Sequence, residues 1–568
     1  MIRTNQTIRI TFLGLLTIVL LAHLGCKPVA KETTGSANAT SATDETSELV
    51  KETGSDLAST EQNATADSKG LDSNSSESKK TIQVSVSKDS ELGNDNESEV
   101  ISGDLDSVDW KSLVGQQVTV KGELVVVDTW DLIRRGQIKV ARSRLYVPTS
   151  SIDPNDADPN ATTFEGGSNV AKVTAAQKQN DKGTIIIDDG SAKQNIFPPK
   201  LFPELGKSNQ TVRVGTKVNG VSGKLVKAGR ALLLVPNEPL NWVLAKRPER
   251  PEVGKADVTV ASFNVLNYFT TIDNGKNRAR GADSDEEFQR QEAKLVAAII
   301  ALQSDVVGVM EIENNIAAEN QLVAALNKKM GKDVFAGCGL PEGFQESAGG
   351  KDAIRVGIIY RSDRVTPIDD VTMISDDAFS VARTPVVQRF KSKTADSSFA
   401  VIVNHFKSKG GSSGAEPENK NKGDGQGAFN AARRAQSLAI CKYIDDLKQS
   451  GGESRVLVIG DLNAYGQEDP IDAMRANGLV DLQQQFSKQN ADENGEYSFL
   501  YRGQSGSLDH AMATDALADD VTGIGTWHIN ADEPRFLDYN LEFNPKPLFK
   551  PNPFRSSDHD PVIIGIRN

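Results

Sequence analysis

Cysteine is scarce in this chain, three among 568 residues, and histidine is hardly commoner, with five. Beyond residue 26 the only cysteines are Cys338 and Cys441. They lack the spacing of a metal-ligand pair, which argues against a cysteine-based zinc site. Two thiols cannot make a disulfide framework, and the sequence leaves open whether they pair or stay buried and free. Positive charge is also short: 64 Lys and Arg face 77 Asp and Glu, a formal charge of −13. Such a balance usually argues against a nucleic-acid partner. Its location removes the objection. Residues 27–106 hold 17 acidic residues against 7 lysines, so this stretch carries 10 of the 13 net negative charges. The rest of the chain is nearly balanced. Long apolar runs are missing too: the stretch ITFLGLLTIVLLA at 10–22 is shorter than the ~20 residues that cross a bilayer comfortably.

That apolar stretch follows Arg3 and Arg9 and ends in HLGC, the pattern of an export leader. It resembles a bacterial lipoprotein signal, with Cys26 as the lipidated residue, although His23 stands where such signals carry Leu, Val or Ile. Residues 1–26 are therefore expected to be a signal, and the protein to be an envelope lipoprotein or extracellular. From 27 to 106 the chain is rich in Ser, Thr, Asn, Asp and Glu and poor in aromatics, so a disordered tether is expected. TIQVSVS at 81–87 alternates, but alone it is a weak strand.

Residues 107–245 differ. QQVTVKGELVVVDT, QIKVARSRLYVP, GTIIIDDG, TVRVGTKVNGVSGKLV and ALLLVP are strand-like runs separated by turn residues, interrupted by the helical NVAKVTAAQKQN. Five short strands and one helix suggest a small OB-like barrel. It shows no row of aromatics for base stacking, so a spacer role and a binding role both stay open. Residues 246–256, rich in Pro, Lys and Glu, read as a linker. From 257 to 568 strands alternate with helices, which predicts an α/β domain. In SDEEFQRQEAKLVAAIIAL, Ser284 and Glu287 stand at capping-box spacing ahead of an amphipathic helix.

In open α/β sheets, sites form beyond the carboxyl ends of strands. Here those ends carry Asn264, Glu311, Asn404 with His405, Asp461 with Asn463, Asp509 with His510, and Asp558 with His559. Any one could be a turn or capping residue. Six apolar strands that all end in amides, acids or imidazoles point to one site. Oxygen donors without cysteine suit a hard cation such as Mg²⁺ or Ca²⁺. Imidazoles beside such an ion suit phosphoryl chemistry, in which one histidine activates water and another protonates the leaving oxygen. His528, in TWHIN, reads as an ordinary packed residue.

Motifs over 258–565 resemble the endonuclease/exonuclease/phosphatase superfamily, and more narrowly its bacterial extracellular nucleases. They are SFNVLNYFTTID, RGADSDEEFQRQ, VVGVMEIENN, RVGIIYR, VNHFKSKG, DGQGAFNAARRAQ, GDLNAYGQEDPI, SLDHAM, WHINADEP and FRSSDHDPV, in family order. The resemblance implies a two-sheet α/β sandwich of the DNase I kind. Ala279 and Ala428 stand where such nucleases often carry cysteines, which puts a family disulfide in question but touches no catalytic group. Position by position, it implies Glu311 as the main metal ligand with Asn264 and Asp558 beside it. Asp461 would orient the attacking water and Asn463 hold the phosphate. His559, steered by Asp509, would be a base or phosphate clamp, and His405 the acid at the leaving group. Asp352 would be the carboxylate partner of His405.

Arg383, Lys407, Lys409, Arg433 and Arg434 lie where a nucleic-acid backbone would run; such contacts grip phosphate without reading sequence. The expected activity is that of an exported, metal-dependent nuclease acting on DNA, with RNA as an alternative substrate. Mg²⁺ is the first candidate ion, with Mn²⁺ or Ca²⁺ as alternatives. The expected partners are nucleic acid and, through Cys26, a membrane; no protein partner is evident. The rivals are a phosphatase or phospholipid phosphodiesterase of the same superfamily and a catalytically inactive DNA-binding lipoprotein. The loop KSKGGSSGAEPENKNKGDGQG is polar throughout, which disfavours a lipid-directed enzyme.

Overall fold

A computed structural model of the protein describes residues 82–87, 98–102, 105–156, 168–207, 210–487, 496–545 and 548–567. The leader, Cys26 and most of the expected tether lie outside these residues. Among the described residues no helix is long and apolar enough to cross a membrane.

Two six-stranded sheets build the C-terminal region. The first runs in the order Phe335–Gly337, Ile354–Arg361, Val306–Glu313, Val258–Tyr268, Val562–Ile566 and Val521–Thr526. The second runs Val365–Met373, Val386–Ser392, Ser398–His405, Val456–Asp461, Asp509–Thr514 and Leu479–Asp481. Their inner faces meet in one apolar layer, where Val258, Val306 and Val356 pack with Val401, Leu457 and Ala511. Helices Asp285–Leu302 and Ile316–Met330 cover the outer face of the first sheet through Leu295, Ile299 and Leu322. Helices Asn430–Gln449 and Asp469–Ala476 cover the second through Ile440, Ile444 and Ile471. This is the two-sheet α/β sandwich. A strand covered on both faces has no polar side to show, which is why every residue of Val456–Asp461 is buried while the edge strand Val365–Met373 stays half-exposed.

The capping residue Ser284 accepts from the Glu287 N–H, as the spacing predicts. The reciprocal half differs: the Glu287 carboxylate accepts from the N–H groups of Asp283 and Leu541 rather than from Ser284.

Ahead of the sandwich, five strands close into a ring. Gln117–Asp128 pairs with Gln137–Ala141, that with Ile185–Asp188, then Ala231–Pro236, then Lys217–Ala228, which returns to Gln117–Asp128. Helix Val170–Lys182 lies between the second and third of these strands. Two boundaries drawn from sequence need correction. The tether cannot extend unbroken to 106, because Gln83–Ser87 pairs with Ser98–Ser102 and with the first ring strand. Val84 and Val86 are buried there, so a short alternating run found an edge to complete. Residues 246–256 are not a free linker either: Val253 is buried, Arg247 binds Glu533, and the Trp527 indole donates to the Pro248 carbonyl.

The barrel and sandwich share side chains. Phe536, Leu537 and Leu548 of the sandwich region pack in the barrel core. Strand Leu145–Tyr146 pairs in parallel with Gln504–Gly506. Beside it Arg144 donates to both carboxylate oxygens of Asp532, at 2.8 and 3.1 Å, and to Ser505 Oγ at 2.9 Å, with its guanidinium 4.2 Å from the Tyr497 ring centre. Breaking one side of a buried ion pair typically costs about 3–5 kcal/mol, because the other charge is left without a counter-ion. Asp532 keeps Arg213 at 3.5 Å, so Arg144→Met leaves it one counter-ion and is expected to lower stability by about 2 kcal/mol, less than a fully broken pair. The control Lys207→Met, at the exposed pair with Glu204, should change it by less than about 1 kcal/mol. Equal denaturant midpoints for the two variants would deny Arg144 this role.

Candidate active site

Three neighbouring strands of the second sheet bring their functional residues to one level. His405 and Asp461 are partners across a parallel pair, and Asp461 and Asp509 across an antiparallel one. Gly460 makes this possible: its φ is +143°, and a Cβ there would strike the Asn404 carbonyl oxygen. In the first sheet, pairing is irregular between Asn264 and Tyr268 and between Val309 and Ile312. Leu266, Asn267 and Glu311 take positive φ in these stretches. Bulges re-aim side chains at a sheet's rim. Here one does so for Glu311, whose carboxylate accepts from the Asn267 N–H at 3.1 Å.

The groups converge on Asp461. Its Oδ2 lies 3.4 Å from Asn264 Nδ2, 3.4 Å from His405 Nε2 and 3.8 Å from His559 Nε2. Its Oδ1 accepts from the Asn463 N–H at 2.9 Å. Glu311 Oε1 is 3.9 Å from His405 Nε2. On the far side of His559, Nδ1 is 2.7 Å from Asp509 Oδ2, which also accepts from Ser498 Oγ at 2.6 Å. Phe499 packs on the His559 ring with centres 4.6 Å apart.

Burial and charge separate the two histidines. Burial opposes the charged form of His559, but Asp509, Asp461 and Asp558 outweigh it and raise its pKa well above the ordinary value. Burial lowers the pKa of His405, and the positive groups of Arg383, His559, Arg280 and Lys407 lower it further. The two shifts thus favour the imidazolium at His559 and the neutral ring at His405 in the free site. Asp461 is pushed up to about 7, chiefly by burial, while the His559 charge pulls against the shift. Burial and the neighbouring Asp558 carboxylate raise Glu311.

Glu311 and Asp558, two acids that repel one another, offer carboxylate oxygens that fit a hard divalent cation, whereas the Asn264 amide turns its Nδ2 to Asp461 and its Oδ1 accepts from the Leu266 N–H at 3.1 Å. A separate trio of carboxylates, Asp283, Glu287 and Glu542, has oxygens within 4.8 Å of one another, but Glu287 is engaged by backbone N–H groups.

Several expected residues do other work. Asp352 is not the partner of His405: it meets Arg280 at 3.4 Å and Arg383 at 3.9 Å, and two permanent cations hold it there. His405 Nδ1 is buried and bonds to none of the described residues. Arg433 is fully buried and donates to the carbonyls of Lys407, Ala428 and Gln426, so it braces the loop after His405 rather than gripping substrate. Lys409 is held by the buried Glu468 and by the Gln426 carbonyl. Both basic residues were drawn inward because they satisfy backbone oxygens of a long polar loop. Arg383 stays in place, buried beside Glu311 and Asp461, and Lys407 is half-buried near it. Arg434 is half-exposed on its helix.

His510 Nε2 sits 2.8 Å from the Ala464 carbonyl oxygen and serves the loop after Asp461. In the DHD run only the first two residues face the site. Asp560 turns away to the N–H groups of Asn530 and Ala531 and to His528. Cys338 and Cys441 are free thiols, each pushed up in pKa by burial. Sequence reasoning missed Arg280, Ser498 and Phe499. Arg280 lies in the RGAD motif, which was a signal; the other two lie in a run that shows only strand character.

Residues 261–559 match the family model described as the endonuclease/exonuclease/phosphatase family. The chain belongs to this family. Its members are hydrolases of phosphoester bonds. No curated protein matches the chain. Similar solved structures include the human Nocturnin catalytic domain with bound sulfate, 13% identical over 55% of this chain and 95% of that one, with a TM-score of 0.34. D. rerio TDP2 complexed with single-strand DNA product is 15% identical over 55% and 99%, TM-score 0.34. A Bacteroides thetaiotaomicron mannosyl-6-phosphatase is 16% identical over 55% and 100%, TM-score 0.33.

The His559–Asp509 pair makes a pH prediction. A histidine whose folded pKa exceeds its unfolded one adds stability that is fully present below about pH 6.5 and is lost as pH rises through the folded value. His559 should therefore keep its proton well past neutrality in NMR titration, and Asp509→Asn should bring its midpoint down. An ordinary midpoint in the unmodified protein would deny the imidazolium.

Proposed function

We propose that this family member is an exported, divalent-metal-dependent nuclease that hydrolyses DNA with little sequence preference. The observation that carries this reading is the meeting of Asn264, Glu311, His405, Asp461, Asn463 and His559 around one buried carboxylate. Glu311, Asn264 and Asp558 would hold the cation, with Mg²⁺ first, and a bound cation neutralises charge on the scissile phosphate. Asp461, raised toward 7, suits removal of a proton from water at neutral pH. Asn463 and the His559 imidazolium hold phosphate oxygens. His405 gives its proton to the departing sugar oxygen. Burial first, and then Arg383, His559, Arg280 and Lys407, keep free His405 neutral, so the proton has to be taken up from solvent as substrate binds. An anionic phosphate placed against Arg383 and Lys407 opposes the cationic part of that shift. Export and a lipid anchor at Cys26 rest on the leader's residues alone, and acyl labelling that Cys26→Ser abolishes would support them.

Glu311→Gln should cut DNA hydrolysis by orders of magnitude with folding retained; wild-type turnover in saturating Mg²⁺ would remove Glu311 from the site. A leaving-group comparison separates the histidines. An activated p-nitrophenyl diester departs as a stable anion and needs no proton, whereas proton donation to a sugar oxygen contributes roughly 10²–10⁴-fold. His405→Ala should lose that factor on DNA and keep most activity on the activated ester, while His559→Ala should lose both. Equal losses on both substrates would deny His405 the proton.

A further inference from the structure

The hairpin that carries Phe499 continues outward from the site. Strand Phe499–Tyr501 turns into Gln504–Gly506 through Arg502 and Gly503, both with positive φ, a two-residue turn. Residues two apart on a strand share a face, so Tyr501 stands about 7 Å beyond the ring that packs on His559, on the same side. Tyr501 is 52% exposed. The Arg502 guanidinium lies over it at 5.2 Å. An arginine at a left-handed turn position favoured by Asn, Asp or Gly is a cost that folding alone does not explain.

The hairpin tip reaches the barrel: a Cβ on Gly503 would lie 3.4 Å from Asp128 and 3.5 Å from the Val127 carbonyl oxygen. Two residues on is Trp130, 54% exposed, whose backbone N–H is fixed by the Asp128 carboxylate at 2.8 Å. The Arg535 guanidinium lies over its ring at 4.5 Å. Two exposed rings, each with its own arginine, thus stand along the seam between barrel and sandwich, starting at the His559 edge of the site.

We propose that Trp130 and Tyr501, with Arg535 and Arg502, form a stacking subsite for unpaired bases of a polynucleotide strand whose backbone enters the catalytic cleft. Every base offers a π face, so such a site tolerates all sequences, and the paired arginines supply charge for the phosphates. The barrel then takes part in substrate binding. The proposal rests on the nuclease reading.

The test is fluorescence anisotropy with the full-length protein and a labelled, phosphorothioate-linked thymidine oligonucleotide of about 12 nucleotides, a length in the usual range for strand-binding barrels. Tyr501→Ala and Trp130→Ala should each weaken binding about tenfold, the usual worth of one stacked base. Tyr501→Phe and Trp130→Phe should restore most of it, which a loss of structure would not permit. A duplex of the same length should be affected far less. If the unmodified protein cleaves DNA and both alanine variants bind the single strand as it does, the subsite is overturned and the nuclease reading stands. If the unmodified protein neither binds nor cleaves any nucleic acid, both fall.

Discussion

The buried carboxylate of Asp461 is the group on which the rest of the site depends. It takes contacts from the first sheet through Asn264, from its own sheet through His405, and from the C-terminal segment through His559. A carboxylate without solvent is costly unless hydrogen-bonded and matched by charge. The sandwich meets that cost by drawing three chain segments, far apart in sequence, to one point. Gly460 allows Asp461 to sit level with His405, and the Asn463 N–H closes over its other oxygen. The same arrangement makes the group chemically useful: burial lifts it toward neutrality, where a base works best.

Around this point the two histidines are driven apart. Asp509 fixes the charge of His559, and Ser498 fixes Asp509. Ser498 and Phe499 begin the hairpin that Leu145–Tyr146, a strand of the N-terminal region outside the five-stranded ring, extends into a small sheet. A second chain of contacts runs from Arg144 to Tyr497, whose ring stacks on His528 at 3.8 Å, and from His528 to Asp560 beside His559. The N-terminal barrel is therefore joined to the clamp residue by two short routes, one through backbone pairing and one through stacked rings.

Much of this was legible because strand ends are legible. Apolar runs that stop at Asn264, Glu311, His405 and Asp461 announce a shared rim, and the structure brings them to it. Asp509 and His559 reach the same rim from the other direction, Asp509 as the first residue of its strand and His559 just ahead of the last one. The expectation that all six strands end there holds for four. The misses have a common cause. A basic residue in a polar loop reads as available to solvent, yet Arg433 and Lys409 answer backbone carbonyls and a buried acid that no local pattern reveals. Asp352 failed as a partner for the reverse reason, since Arg280 and Arg383 arrive from distant segments. Positive φ at Glu311 is invisible in its side chain. The shared core is equally silent: Phe536, Leu537 and Leu548 look like sandwich residues and pack in the barrel.

The acidic composition is consistent with an anionic substrate once charge is counted where it acts. Burial deprives Glu311 and Asp461 of easy ionisation, whereas Arg383 and the His559 imidazolium are held beside them. An arginine keeps its proton even when burial lowers its pKa, so the cations at the site persist at a pH where its acids are still partly neutral. The local balance is thus less negative than a list of residues suggests, and a bound cation would tip it further. Of the chain's 13 net negative charges, 10 belong to residues 27–106, outside the sequence of the sandwich that holds the site. In physiological salt the screening length is about 8 Å, so the charges that count most at the cleft are those within it, and there Arg383, Lys407 and His559 stand beside the acids.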